Sequence, residues 1–286
     1  MRNTLSFPLV AAILMIATPT WPCLATGTSL IRQHPFLEQD VVATVISLPA
    51  DTLGSQKERE AEELTPYLSL EQVANSRIVL PAPPKPGSVE FLVDVYHYYQ
   101  AKLLRNTPRG LEAIEDAKMD DTVLLRFADS FGFKVTKESM PRCYHLLKRA
   151  QECFGTYGCA AVKEYYQRIR PFDYFREPSL TPDEEEWLRK NGSYCSGHSA
   201  NGYGLAAIMV ALNPERQNEI ILHAKEIAYS RVVVGAHWYS DTQASYIVAL
   251  AVFARLQSDP EYLADFQLAK KEIETLRVIR KVEVGK

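Results

Sequence analysis

Residues 203–212, YGLAAIMVAL, and residues 244–256, ASYIVALAVFARL, decide the fold class. Each is apolar around most of the circumference a helix would present, so each reads as a central helix buried among other helices. Runs of about 10 to 13 residues are too short to cross a bilayer, which takes roughly 20. Outward from them the pattern stays helical. Ser88 is a good N-cap, and Phe91, Leu92, Val95 and Tyr99 recur behind it at near-helical spacing. Further helices are expected at about 108–118, 121–131, 139–155 and 159–170, the last of them stopped by Pro171. A loop through Pro178 and Pro182 leads to a short charged helical turn near Glu184 to Lys190. Pro81-Ala82-Pro83-Pro84-Lys85-Pro86-Gly87 is an extended strap that cannot be helical. No alternating strand pattern and no solenoid repeat appears, so the expected class is all-α.

The 286 residues can bury a full core in one domain or at most two small ones. Lys and Arg number 32 against 35 Asp and Glu, a net charge of −3, which lacks the basic face of a nucleic-acid binder. An anionic substrate would need a local cluster of cations to hold it. The N-terminus reads as a signal peptide over 1–25: Arg2 gives the positive start, Leu9 to Ala17 the apolar stretch, and Cys23-Leu24-Ala25 a small-residue cleavage site. Thr20, Trp21 and Pro22 do not resemble a lipoprotein signal, so the expected product is periplasmic or secreted, with no membrane attachment after cleavage. Residues 26–87 then form an N-terminal segment ending in the strap, and 88–286 a catalytic helical domain. Cleavage leaves Cys143, Cys153, Cys159 and Cys195, whose three pairings sequence cannot choose among. They form no CxxC pair and have no nearby histidine pattern, so no zinc site and no cofactor are expected.

Three motifs carry chemistry. Lys163 and Arg170 lie seven apart and would share one face of a helix, where two cations grip a dianion; the bland reading is a solvated basic face that includes Arg168. Gly192-Ser193-Tyr194-Cys195-Ser196-Gly197-His198 precedes a buried helix, whose free amides and dipole favour phosphate. There Gly197 admits an oxyanion close to the backbone and Ser196 adds a hydroxyl, unless Ser196 is only an N-cap. Ser230-Arg231 is followed by His237 and Asp241, an i,i+4 pair in which the carboxylate would fix the imidazole tautomer. Three cations, two histidines and a glycine together match the needs of phosphoryl transfer.

Lys163-x6-Arg170-Pro171, Ser196-Gly197-His198 and Ser230-Arg231-x5-His237-x3-Asp241 resemble the signature of the acid phosphatase and vanadium haloperoxidase superfamily. Gly-Ser-Tyr-x-Ser-Gly-His is similar to the bacterial class A non-specific acid phosphatases. The resemblance runs from about residue 81 to beyond Asp241. It implies a helical bundle of that type and a metal-independent phosphomonoesterase. His237 would be the nucleophile, oriented by Asp241, and His198 the general acid. Lys163, Arg170, Ser196, Gly197 and Arg231 would hold the phosphate.

Two positions depart from the pattern: Cys195 stands where the family usually has proline, and Ser199 where it has threonine. Loss of that proline frees the unfolded chain, at a cost of about 0.4–1 kcal/mol. Cys195 is not a cysteine-phosphatase nucleophile, because no arginine follows within six residues. The expected partners are small phosphorylated substrates, monoesters or nucleotides, and a homo-oligomer stays open. Rival readings are a vanadium haloperoxidase, a lipid phosphatase with membrane spans, and a secreted phosphate-binding protein without turnover.

Overall fold

The computed structural model describes residues 64–118 and 121–284. The expected signal peptide and most of the segment before the strap lie outside the described residues. Every regular element among those described is helical, which bears out the all-α class. The longer helices are α1 (Val89–Lys102), α2 (Pro108–Ala117), α3 (Pro141–Glu152), α4 (Gly158–Tyr166), α5 (Pro171–Phe175), α6 (Glu185–Arg189), α7 (Gly197–Leu212), α8 (Gln217–Val234), α9 (Tyr239–Leu256) and α10 (Pro260–Val284). Helix α7 is central and packs most extensively on α8 and α9, while α2 lies on α8 and α10 on α3.

Local chemistry sets many of these boundaries. Ser88 caps α1 as expected, its Oγ accepting from the Phe91 amide at 3.1 Å. Proline stands at the first turn of α2, α3 and α5, where its missing N–H costs nothing. The strap at 81–85 is extended, and its carbonyls accept from Tyr194 Oη at Pro81 and from Arg168 at Pro84.

Several expectations are corrected. The stretch 159–170 is not one helix: α4 ends at Tyr166, because Gln167 takes the left-handed conformation (φ 42°, ψ 42°). Pro171 starts α5 rather than stopping a helix, with Arg170 as its N-cap. Lys163 and Arg170 therefore do not share a helical face. The 121–131 stretch is a 3₁₀ run, Asp121–Phe127, followed by one α turn that Gly132 closes. Helix α1 buries Phe91, Asp94, Tyr98 and Ala101, and leaves Leu92 and Tyr99 exposed. Helix α9 is not buried all round, since Tyr246, Ile247 and Leu250 face outward. Helices α8 and α10 were not anticipated as units.

A π-helical turn, Cys153–Tyr157, joins α3 to α4 and lies directly against α7. Glycines permit that approach. A Cβ on Gly204 would sit 2.3 Å from the Phe154 ring, and one on Gly197 would sit 3.2 Å from the Gly155 carbonyl oxygen. Gly197 thus admits a neighbouring backbone, a use the sequence reading had not given it. Phe154 is fully buried and cannot swing aside. Gly204→Val is expected to destabilise the fold by about 1–3 kcal/mol through overpacking, lowering Tm by about 3–10 °C. An unchanged thermal melt would show that the α7 seam has slack.

Candidate active site

The centre of the site is Asp241, which is fully buried at the third position of α9. Its Oδ2 accepts the Trp238 amide at 2.8 Å and so closes the start of the helix. Ser193 Oγ also donates to Oδ2, and Arg168 Nη1 donates to Oδ1 at 2.5 Å. Nδ1 of His237 lies 3.4 Å from Oδ2. His237 sits in the turn before α9, so the pair meets through the capping turn and not along a helix face as expected. Burial acts to raise the Asp241 pKa. Arg168, with His237 and the Ser193 hydroxyl behind it, outweighs that and holds the carboxyl well below the ordinary range.

His237 is almost fully buried, and its Nε2 is 3.0 Å from Arg170 Nη1. A guanidinium has donors only, so Nε2 must be the lone-pair nitrogen and Nδ1 carries the proton facing Asp241. Burial and then the Arg170 charge push the His237 pKa well down, against the opposing pull of Asp241. The imidazole is thus neutral, with its basic nitrogen turned away from the carboxylate.

His198 occupies the first turn of α7. Its Nε2 is 2.8 Å from the Ala117 carbonyl, which can only accept, so Nε2 is protonated and Nδ1 is the nitrogen free to gain or lose a proton. Burial, Arg231 and His237 lower its pKa well below the usual value. Ser196 does cap α7: its Oγ accepts from the Ser199 amide at 3.3 Å and from Ser199 Oγ at 2.9 Å.

The structure brings the three expected cations together despite the break after Tyr166. Lys163 Nζ donates to the Gly192 carbonyl at 2.6 Å, and burial, then Arg170, lowers its pKa to about 8. Arg170 donates to carbonyls through all three nitrogens, with Nε on Leu188 (2.8 Å), Nη1 on Ala236 (2.9 Å) and Nη2 on Asn191 (2.9 Å), and the second Nη1 hydrogen is the one directed at His237. Arg231 differs from both. It is fully buried and none of its three side-chain nitrogens makes a hydrogen bond; its nearest carboxylate is Glu184, at 3.9 Å. Burial brings its pKa down to about 10, so it stays charged near neutral pH. A buried cation of this kind is costly unless an anion meets it. An oxyanion with several acceptor oxygens would satisfy it, and the Gly197 and His198 amides at the start of α7 add donors of the same kind.

Sequence reasoning missed a second tier. Arg168, read there as part of a solvated face, bridges Asp241 and Asp94, reaching the latter through Nη2 at 2.7 Å. Asp94 also accepts the Ser240 amide and hydroxyl, each at 2.7 Å. One sequence signal was present: Asp94 shares a helical stripe with Phe91, Tyr98 and Ala101, which is where a charge belongs only if it is paired.

The family model described as the PAP2 superfamily matches residues 151–262, which contain all three motifs. The non-specific acid phosphatase of Providencia stuartii is 39% identical over 212 residues, 74% of this chain and 86% of that protein. The non-specific acid phosphatase of Salmonella typhimurium is 35% identical, covering 76% of this chain and 87% of its own. An acid phosphatase of Zymomonas mobilis is 30% identical over 83% of this chain and 90% of its own.

Arg168→Gln removes the cation that holds Asp241 ionised, so the carboxyl pKa rises. Activity that needs the carboxylate should then fall off on the acid side at higher pH than in the parent enzyme. Arg168→Lys should restore part of the shift. An acid limb that stays in place in Arg168→Gln would mean that Arg168 only holds the fold.

Proposed function

Since this chain belongs to the bacterial class A non-specific acid phosphatases and is a phosphomonoester hydrolase, we propose that it works through a phosphohistidine on His237. The observation that carries this reading is the buried, hydrogen-bond-free guanidinium of Arg231 beside the neutral His198, with the neutral His237 next to that imidazole. The phosphoryl group of the substrate lies against Arg231, the Gly197 and His198 amides, and the Lys163 ammonium. Ser196 contributes by capping α7 and holding those amides in place.

Catalysis runs in two displacements. In the first, Arg170 Nη1 passes its hydrogen bond from Nε2 to a phosphoryl oxygen, the freed lone pair of His237 Nε2 attacks phosphorus in line, the ester P–O bond breaks, and His198 gives its proton to the departing oxygen. Asp241 stabilises the positive charge that develops on the His237 ring and keeps Nδ1 protonated. In the second, His198 takes a proton from water, the resulting oxygen attacks phosphorus, and the P–Nε2 bond breaks to release inorganic phosphate. The incoming dianion also changes His198: its negative charge counters Arg231, so the imidazole regains the proton that burial had driven off. Broad monoester use follows from a site whose named contacts all fall on the phosphoryl group, and nucleotides fall within the same chemistry. The first 25 residues support export of the mature enzyme to the periplasm or the medium.

The two histidines separate experimentally. His237→Ala should lose turnover with every leaving group. His198→Ala should lose about 10²–10⁴-fold on alkyl phosphates, whose leaving oxygen needs a proton, and far less in the first step on p-nitrophenyl phosphate. Equal losses across leaving groups in His198→Ala would remove it as the general acid.

The pH profile tests the coupling between substrate and His198. The optimum should fall at about pH 5–7, around the ordinary histidine value. In the free enzyme the His198 pKa is lowered, so kcat/KM should decline at lower pH on the basic side. Bound dianion raises that pKa, so the basic limb of kcat should lie at higher pH. Coincident or reversed basic limbs would contradict the proposal.

A further inference from the structure

The cysteines take no part in the chemistry above, yet two of them meet at its edge. Cys159 lies in the first turn of α4, four residues before Lys163 and therefore on the same face. Cys195 immediately precedes Ser196, the cap of α7. Their sulfurs are 2.8 Å apart and both residues are fully buried. The other two described cysteines turn elsewhere: Cys143 Sγ faces the Ala269 carbonyl at 3.6 Å, and Cys153 Sγ faces the Arg149 and Leu68 carbonyls at 3.7 and 3.9 Å. Of the three pairings that sequence leaves open, this arrangement favours the one containing Cys159–Cys195.

We infer that Cys159 and Cys195 form a disulfide that ties the Lys163 helix to the phosphate-binding turn, taking over the restraint that a proline before Ser196 would supply. The bond forms by exchange with a small-molecule or protein disulfide. One cysteine thiolate attacks that disulfide, the mixed disulfide is resolved by the second cysteine, and the oxidant leaves as two thiols carrying both electrons and both protons. In the folded chain the Cys195 thiol is a poor nucleophile, because burial and then its neighbour Cys159 push its pKa up. Exchange therefore precedes the docking of α4 on the loop, and the finished bond is shielded from reductants. The bond spans 36 positions of sequence, a loop long enough for cross-linking to restrict the unfolded chain strongly. In the cell, formation of the bond rests on the export proposed above.

The test uses full-length enzyme, reduced and unfolded, then refolded in a glutathione redox buffer, beside enzyme recovered from cells. Both are unfolded again, alkylated without reductant and mapped by mass spectrometry. The expected result is a peptide joining Cys159 to Cys195, with Cys143 and Cys153 alkylated. Refolding under reducing conditions should lower Tm by about 5–15 °C. Cys195→Pro, which carries the residue the resemblance leads one to expect, should melt at the same temperature with or without reductant. Alkylation of both Cys159 and Cys195 in the refolded enzyme, or a link from either to Cys143 or Cys153, would overturn the bond. A mapped bond with no effect of reductant on Tm would overturn its restraining role. A bond in the refolded enzyme with free thiols in the cellular enzyme would uphold the inference and count against export.

Discussion

The buried carboxylate of Asp241 is the constraint on which the rest of the site depends. Taking such a charge out of water is unfavourable unless charged partners and hydrogen bonds surround it. Here the Trp238 amide, the Ser193 hydroxyl and the Arg168 guanidinium all converge on it. Each donor belongs to a different part of the chain: the start of α9, the turn before α7, and the break between α4 and α5. Meeting the needs of one carboxylate thus fixes three loops relative to one another. His237 is placed by the same act, because its ring sits in the capping turn that Asp241 closes. Removing one partner of such a buried group would leave an uncompensated charge, at a cost of about 3–5 kcal/mol.

The cations around Asp241 divide into different tasks. Arg168 is held between two carboxylates, where it keeps Asp241 ionised and ties α9 to Asp94 of α1. Arg170 spends its hydrogens on the 188–192 loop and Ala236, and its remaining effect is on His237, whose tautomer it selects. Lys163 keeps donor capacity beyond its single bond to Gly192. The Arg231 guanidinium makes no hydrogen bond, and it is the cation that lowers the His198 pKa most after burial itself. A phosphoryl dianion would settle both effects at once, satisfying the guanidinium and restoring the imidazole proton. Fixed donors that await charge need little rearrangement as it arrives, which is the usual source of electrostatic catalysis.

Much of this was legible in the sequence, for identifiable reasons. The all-apolar run 203–212 could only be a buried helix, and Ser88 and Ser196 cap their helices as short hydroxyl side chains do. The motif residues converge as their spacing promised, although by other routes. The break after Tyr166 was invisible because Gln167 is an ordinary helix former, and neither glycine nor asparagine marks its left-handed conformation. Arg168 was misread for the same reason: on an unbroken helix it would have pointed to solvent. Helix α8 escaped notice because polar residues such as His223 and Lys225 interrupt its apolar pattern. Its last turn is buried through Ser230, Arg231 and Val232–Val234. Those interruptions leave no clear stripe for a periodicity argument to find.

The central claim is that Asp241 and Arg170 together present Nε2 of a neutral His237 to phosphorus. Rapid quenching of wild-type enzyme during turnover of p-nitrophenyl phosphate, followed by mapping of the phosphorylated peptide and of the ring nitrogen that bears the phosphoryl group, tests it directly. The account predicts a phosphoramidate on Nε2 of His237, stable to alkali and labile to acid. Phosphate on Nδ1, phosphate on His198, or steady turnover with no phosphohistidine at any quench time would contradict it.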